Sequence, residues 1–239
     1  VKAQEYRYQN IYQSGYYRLK KDSYEIDESV PFTEWDMGFD FYAPQTFQDA
    51  SGRYILIGWM GIPDADYTNI PSVKDGWQHT LTLARELSVN EKGKVTQMPL
   101  KEYEALRDEE IAEKDGTYIC ETAQLICPSI GDKDVCITID RSLNLRYDGK
   151  EKVMELFFDP EAESEDAANG CGRRIRKAKL DALSDLTVYL DRSALEVYVN
   201  GGETVFSTRF YTAGREHEIV LSPGVDARVF ALKGFEIRM

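Results

Sequence analysis

The sequence is short of positive charge, short of histidine and without a long apolar run, and each shortage removes a class of function. Among 239 residues there are 29 Lys and Arg against 42 Asp and Glu, a formal net charge of −13. A nucleic-acid binder needs a basic face to displace counterions, so nucleic acid is not an expected partner. An anionic membrane surface is disfavoured on the same ground. No apolar stretch approaches the roughly 20 residues that span a bilayer; the longest runs from Tyr54 to Ile62. The cysteines, Cys120, Cys127, Cys136 and Cys171, show no C-x-x-C spacing, and the only histidines are His79 and His217. No zinc set is therefore expected, and the cysteines read as reduced, mostly buried thiols. No glycine-rich loop precedes a helix, so nucleotide binding has no support. Neither a metal nor a cofactor is expected. The opening, Val1-Lys2-Ala3-Gln4-Glu5, has no leader-like segment, and the expectation drawn from it is a cytoplasmic location. Its first residue is not Met, and the expectation drawn from that is a fragment.

What is present is enough apolar and aromatic material for a β-rich core. Hydrophobic residues make up 42%, with 15 Tyr and 10 Phe, a composition that folds and that favours strands. Tyr16–Leu19 and Phe41–Phe47 are short and aromatic. Arg53–Met60 is nearly continuous apolar sequence, as a buried strand should be. His79–Leu83 alternates, and Lys94–Met98 follows a turn at Lys92-Gly93. The four runs from Phe41 to Met98 have the size of one four-stranded propeller blade. Leu100, Tyr103 and Leu106 then recur at three-residue spacing among charged residues, so Leu100–Lys114 reads as a connecting helix.

Strand patterns resume at Thr117. Val135–Ile139, Leu143–Tyr147 and Val153–Phe158 are three runs, the last two joined by Asp148-Gly149, a hairpin signal. Asp159–Gly170 is acidic and reads as a loop. Leu186, Val188 and Leu190 alternate with polar residues, as do Leu195, Val197 and Val199, before Asn200-Gly201 turns the chain into Thr204–Phe210. Short strands with turn signals every ~8–12 residues indicate a sandwich. The expected architecture is all-β: the last part of a β-propeller over residues 1–99, a helical linker over 100–115 and a β-sandwich over 116–239.

Residues Trp35 to Gly61 read W-D-M-G-F-D-F-Y-A-P-Q-T-F-Q-D-A-S-G-R-Y-I-L-I-G-W-M-G. This resembles the last propeller blade of the β-fructosidases of glycoside hydrolase family 32, the invertases, sucrose-6-phosphate hydrolases and fructan hydrolases. There a D-x-G-x-D-F-Y-A-P-Q element precedes an I-G-W-M strand. Gly76-Trp77-Gln78-His79 and Leu81 to Leu87 are similar to the next family element, with Ala84 where Pro is usual. Tyr12-Gln13-Ser14-Gly15-Tyr16 also fits. Gly172-Arg173-Arg174 and the stretch from Leu190-Asp191 through Val199-Asn200-Gly201-Gly202 resemble the family's C-terminal sandwich. The resemblance implies a five-bladed propeller joined to a sandwich. The implied activity is hydrolysis of β-fructosides with retention, through a fructosyl-enzyme intermediate. That mechanism needs two carboxyl groups ~5–5.5 Å apart.

The family's nucleophile, transition-state and acid motifs, of the types W-M-N-D-P-N-G, R-D-P and E-C, do not occur. Arg107-Asp108-Glu109 lacks the Pro, Phe158-Asp159-Pro160 lacks the Arg, and Cys120-Glu121 is reversed. Asp36 and Asp40 are the best remaining carboxylates, but four residues of strand separate them by roughly 13 Å. The expectation is a chain with no catalytic residues of its own, inactive in isolation. Its substrate, a fructose-containing oligosaccharide, would be met through the complete enzyme. Lone blades expose apolar faces, so a missing propeller half or self-association is the expected partner. A non-catalytic carbohydrate-binding or assembly sandwich is the alternative.

The resemblance marks Asp36, Asp40, Tyr42 and Trp59 as candidate sugar contacts. Carboxylates accept hydrogen bonds from sugar hydroxyls, and aromatic faces stack on sugar C–H groups. Against this, Asp36 could cap a turn beside Gly38, Asp40 could be a solvated strand-edge charge, and Tyr42 and Trp59 could be core. Trp77 reads as structural, His79 as packed or exposed, and Arg85-Glu86 as a structural polar pair. The run Arg173, Arg174, Arg176, Lys177 and Lys179 reads as the solvated face of a strand.

Overall fold

A computed structural model describes residues 3–65, 69–131, 133–162, 169–212 and 214–235. Near the start, β1 (Gly15–Tyr16) pairs with β2 (Thr33–Glu34) as a short two-stranded ladder. A blade follows, built from β3 (Tyr42–Gln48), β4 (Tyr54–Met60), β6 (Arg85–Val89) and β7 (Val95–Pro99), all antiparallel and in that spatial order. Between β4 and β6 the chain makes α1 (Ile70–Lys74) and the two-residue β5 (Thr80–Leu81), which pairs with β4. The β3–β4 turn is closed by Asp49, whose Oδ1 accepts the N–H groups of Ser51 and Arg53, both at 2.9 Å. The apolar run of β4 buries Ile55, Leu56 and Met60.

After β7 come β8 (Arg107–Glu110), β9 (Thr117–Cys120), β10 (Ala123–Cys127), β11 (Val135–Ile139), β12 (Leu143–Asp148), β13 (Val153–Phe158) and β14 (Ile175–Lys179). They are followed by β15 (Leu186–Asp191), β16 (Ala194–Val199), β17 (Thr204–Arg209), β18 (His217–Leu221) and β19 (Arg228–Leu232). These form two six-stranded sheets, in the orders β17-β16-β15-β10-β19-β8 and β14-β13-β12-β11-β18-β9. Their facing residues, among them Leu125, Ile137, Leu145, Leu156, Val188, Val197 and Phe206, make one continuous core. Each such aliphatic or aromatic side chain contributes about 1.5–3 kcal/mol on burial.

The first sheet is covered on both faces. Leu195, Val197 and Val199 of β16 point to the second sheet, while Tyr189, Tyr198 and Val205 meet Leu83 and Met98 of the blade and Tyr103. The outer blade strand also ties in through its backbone, with the Gln97 N–H donating to the Gly202 carbonyl at 3.0 Å.

Several expectations need correction. The connector is not a helix to Lys114: a 3-10 turn covers only Lys101–Leu106, and Arg107–Glu110 is already a sandwich strand paired with β19. The three-residue spacing of Leu100, Tyr103 and Leu106 suits the 3-10 period of three. The third blade strand is Arg85–Val89 rather than His79–Leu83, where only Thr80–Leu81 pairs. Of Tyr16–Leu19 only Tyr16 lies in a named strand, the two-residue Gly15–Tyr16. Of the acidic loop, residues 163–168 lie outside the described residues, and Asn169–Gly172 is a 3-10 turn. Of the basic run, Arg176, Lys177 and Lys179 lie in strand β14; Arg174 and Lys179 are exposed and Lys177 half-buried, as a solvated face requires, but Arg176 points the other way. Arg176 is 4% exposed, bonding the Gly38 carbonyl and Asn10 Oδ1 across to the N-terminal segment.

Among the described residues no helix is long and apolar enough to cross a membrane. Among them too, no group of three or more His, Cys, Asp or Glu could hold a metal ion. Cys120, Cys127 and Cys136 are free thiols.

Candidate functional site

Tyr42 opens β3 and stands directly opposite Trp59 of β4. A bulge follows Tyr42, and Ala43 takes a positive φ of 45° there, so the strand turns as it leaves the pair. The Tyr42 and Trp59 rings meet nearly edge to face, centroids 6.5 Å apart. Tyr12 lies 5.8 Å from Tyr42, and the His79 ring stands edge-on to Trp59 at 4.8 Å. Gly61 leaves room for the Trp59 indole, which a Cβ at that position would approach to 2.6 Å. Tyr42 and Trp59 are half-buried, and Tyr12 and His79 are exposed. The result is a wall of four contacting rings, two exposed and two half-buried. Polar groups edge it: the Tyr12 hydroxyl donates to Asp64 at 2.7 Å. Burial and the nearby Arg209 guanidinium hold the His79 imidazole below its ordinary pKa, with Asp40 opposing them.

The two aspartates do not join this wall. Asp36 and Asp40 are 5% and 1% exposed, and their oxygens are taken by sandwich residues and, for Asp36, also by Gly38 and Arg85. Asp36 Oδ1 accepts the N–H groups of Gly38 and Ser207, each at 2.8 Å. Its Oδ2 accepts the Ser207 hydroxyl at 2.7 Å and two Arg85 N–H groups at 3.2 Å. Asp40 Oδ2 accepts the Arg209 N–H at 2.9 Å, and its Oδ1 accepts from Arg173 at 3.2 Å. A sugar hydroxyl would have to displace buried charge-assisted bonds to reach either one.

Behind the wall is a sealed polar junction. The Arg85 guanidinium is fully buried between Asp36 and Glu196, and it also reaches Gln97 at 3.1 Å and the Ser207 hydroxyl at 2.6 Å. Glu196 accepts the Leu83 N–H at 2.6 Å and the Tyr198 hydroxyl at 2.7 Å. Desolvation pushes the Asp36 carboxyl above its ordinary pKa, against the pull of Arg85. Arg85 and Glu86 are therefore not a pair: Arg85 points in, and Glu86 faces Arg53 on the surface at 3.9 Å.

Of the sequence candidates, Tyr42 and Trp59 face each other across the hairpin, Asp36 takes its alternative role of capping a turn beside Gly38, and Asp40 is a buried acceptor rather than a solvated strand-edge charge; Tyr12, His79 and Glu196 are not among the candidates. A signal for Glu196 existed. Alternation in Leu195-Glu196-Val197-Tyr198 places Glu196 and Tyr198 on the face away from the sandwich core.

Exposed aromatic faces with hydrogen-bonding groups at their edge, on a blade backed by a sandwich, are chemistry suited to a carbohydrate. Comparison with known proteins gives the family. The model for the glycosyl hydrolases family 32 N-terminal domain matches residues 1–99, and that for the family 32 C-terminal domain matches 134–233. The chain belongs to glycosyl hydrolase family 32. It is 33% identical over 234 residues to the sucrose-6-phosphate hydrolase of Bacillus subtilis, covering 93% of this chain and 47% of that protein. It is 34% identical over 235 residues to the Vibrio alginolyticus sucrose-6-phosphate hydrolase, covering 96% and 47%. Among solved structures, a mutant Bombyx mori β-fructofuranosidase in complex with sucrose superposes with a TM-score of 0.77 at 25% identity, over 98% of this chain and 50% of that one. The Lactobacillus gasseri sucrose-6-phosphate hydrolase superposes at 0.67 and 23%, over 95% and 49%. The chain spans about half the length of the curated relatives it matches.

Proposed function

We propose that these residues are the C-terminal part of a retaining β-fructosidase that hydrolyses terminal fructosyl bonds of sucrose, sucrose 6-phosphate or fructans. The observation that carries the sugar reading is the accessible wall of Tyr12, Tyr42, Trp59 and His79. Tyr42 and Trp59 stack on the fructosyl unit. Asp36 and Asp40 serve the wall from behind rather than touching sugar. The catalytic carboxyls lie outside these 239 residues, which alone release no fructose. The blade belongs to a five-bladed propeller. The large apolar groups Phe47 and Tyr54 on β3 and β4, 51% and 57% exposed, support a further protein surface against it.

Two measurements test this. The first is a hydrolysis assay of the purified 239-residue chain with sucrose and sucrose 6-phosphate. Fructose release above the enzyme-free rate would overturn the assignment of catalysis to other residues. The second is titration with fructose followed by NMR. Shifts centred on Trp59 and lost in W59A support the wall. Shifts confined to residues 116–239 would support the sandwich as a carbohydrate-binding module instead.

A further inference from the structure

We propose that the sandwich strand β17 is the positioning element for the aromatic wall, acting through Asp36, Gly38 and Asp40; its bearing on sugar binding rests on the reading above. β17 is the edge strand of its sheet, and edge strands carry free backbone groups that must be covered. Here the segment 36–40 covers them. The Met37 N–H donates to the Val205 carbonyl at 2.7 Å and the Asp40 N–H to the Ser207 carbonyl at 3.1 Å. In the other direction the Ser207 and Arg209 N–H groups donate to the side chains of Asp36 and Asp40, at 2.8 and 2.9 Å. The two carboxylates thus stand in for strand carbonyls along alternate residues of β17.

The register of this contact has no slack. A Cβ at Gly38 would lie 2.0 Å from the Ser207 carbonyl oxygen and 2.3 Å from its nitrogen. Only glycine brings the segment flat onto the strand. The next residues transmit the position. Phe41 is 3% exposed, with the Arg85 guanidinium 5.1 Å from its ring centroid. Its ring fills the space over Gly58, where a Cβ would approach within 2.2 Å. Tyr42 follows at once and faces Trp59. Between the clamp at Asp40 and the wall at Tyr42 there is only Phe41, so a change in the docking at β17 tilts the Tyr42–Trp59 pair. The sandwich, which touches no sugar in this arrangement, sets where the sugar-facing rings stand.

The test uses Trp59 as reporter. The chain has three tryptophans, so W35F and W77F together leave Trp59 alone. In that background D36N, S207A and G38A are compared by acrylamide quenching and emission maximum, under conditions where circular dichroism shows the fold retained. S207A is the mildest, removing the hydroxyl bonds to Asp36 and Arg85 while keeping the strand N–H. The expected result is easier quenching and a red-shifted emission in all the variants that fold. I137A, in the sandwich core, should lower the unfolding midpoint without moving either signal. If D36N and S207A lower the midpoint but leave Trp59 emission and quenching as in the parent, the positioning role is overturned and the contact is only a stabilising one. Fructose titration of the parent is read separately. A parent blind to fructose removes the sugar reading of the wall, while the quenching result still decides whether β17 positions it.

Discussion

The guanidinium of Arg85 lies 2.7 Å from the carboxylate of Glu196, 111 residues further along, and both side chains are buried, Arg85 completely. Arg85 belongs to the blade and Glu196 to the sandwich. Asp36 completes the cluster at 3.2 Å, so one cation sits between two carboxylates. Buried charge of this kind is tolerated only when every remaining lone pair is met. Backbone N–H groups of Gly38, Leu83 and Ser207 and the Tyr198 hydroxyl meet them.

R85M should therefore destabilise the chain by about 3–5 kcal/mol, because it leaves two buried carboxylates without their cation. Urea denaturation measures it. R85K should recover only part of the loss, since a point charge cannot replace a planar fork that contacts Asp36, Gln97, Glu196 and Ser207 at once. A double-mutant cycle of R85M with E196Q should show strong coupling. Additive losses would mean that the pair is not the unit of stability.

G202A addresses the second seam between blade and sandwich. Gly202 has φ +82°, and a Cβ there would meet the Gln97 carbonyl oxygen at 1.9 Å. Gly224 has a similar φ of +77° with open space around it. The left-handed backbone cost, about 1–2 kcal/mol, is common to both alanine variants. G202A should lose about 1–3 kcal/mol beyond G224A, from overpacking against fixed backbone. Equal midpoints for the two variants would show that the blade yields at Gln97.

The sandwich was legible where strands obey period-two alternation. Val135–Ile139 stands where its pattern places it, because one face is buried and the other only half-buried; Val153–Phe158, buried on both faces except at Phe157, is legible instead as a nearly continuous apolar run. Arg85–Val89 was not legible, since a buried arginine at an inward position looks polar to any alternation test. Arg107–Glu110 escaped for the opposite reason: it joins its sheet by backbone bonds to β19 and keeps polar side chains outside. The site divides in the same way. Tyr42 and Trp59 are cross-strand partners within one hairpin, so local sequence brings them together. Asp36 and Asp40 have the same chemistry as sugar ligands or as buried acceptors. What decides between these is Ser207, 171 residues from Asp36, and Arg209, 169 from Asp40.

The thiols give a prediction that depends on burial alone. Desolvation pushes Cys120 and Cys127 each up to about 12, far from the thiolate that reacts. Cys136 is half-buried. In a C171S variant, iodoacetamide at pH 8 should modify Cys136 and leave Cys120 and Cys127 untouched until urea is added. Intact mass counts the adducts. Rapid labelling of Cys127 in the native protein would mean that the sandwich core opens readily.

The last prediction concerns acid and His79. Burial and the Arg209 guanidinium both disfavour the imidazolium, while Asp40 favours it less strongly, so the folded pKa lies below the ordinary 6.5. The folded state thus prefers the neutral ring, and protonation favours unfolding. The stability this ring contributes is fully present above 6.5 and is lost as pH falls through the folded value. H79Q keeps a polar side chain that does not titrate. The unfolding free energy of the parent minus that of H79Q should be constant at neutral pH and should decline on acidification below 6.5. The same variant assigns the NMR signals, since His217 is the one other histidine in the sequence. A His79 titration midpoint above 6.5, or a parent that gains on H79Q in acid, would show that Asp40 outweighs Arg209 at the ring. The wall would then carry a positive charge at mildly acidic pH, beside the Trp59 face assigned to sugar.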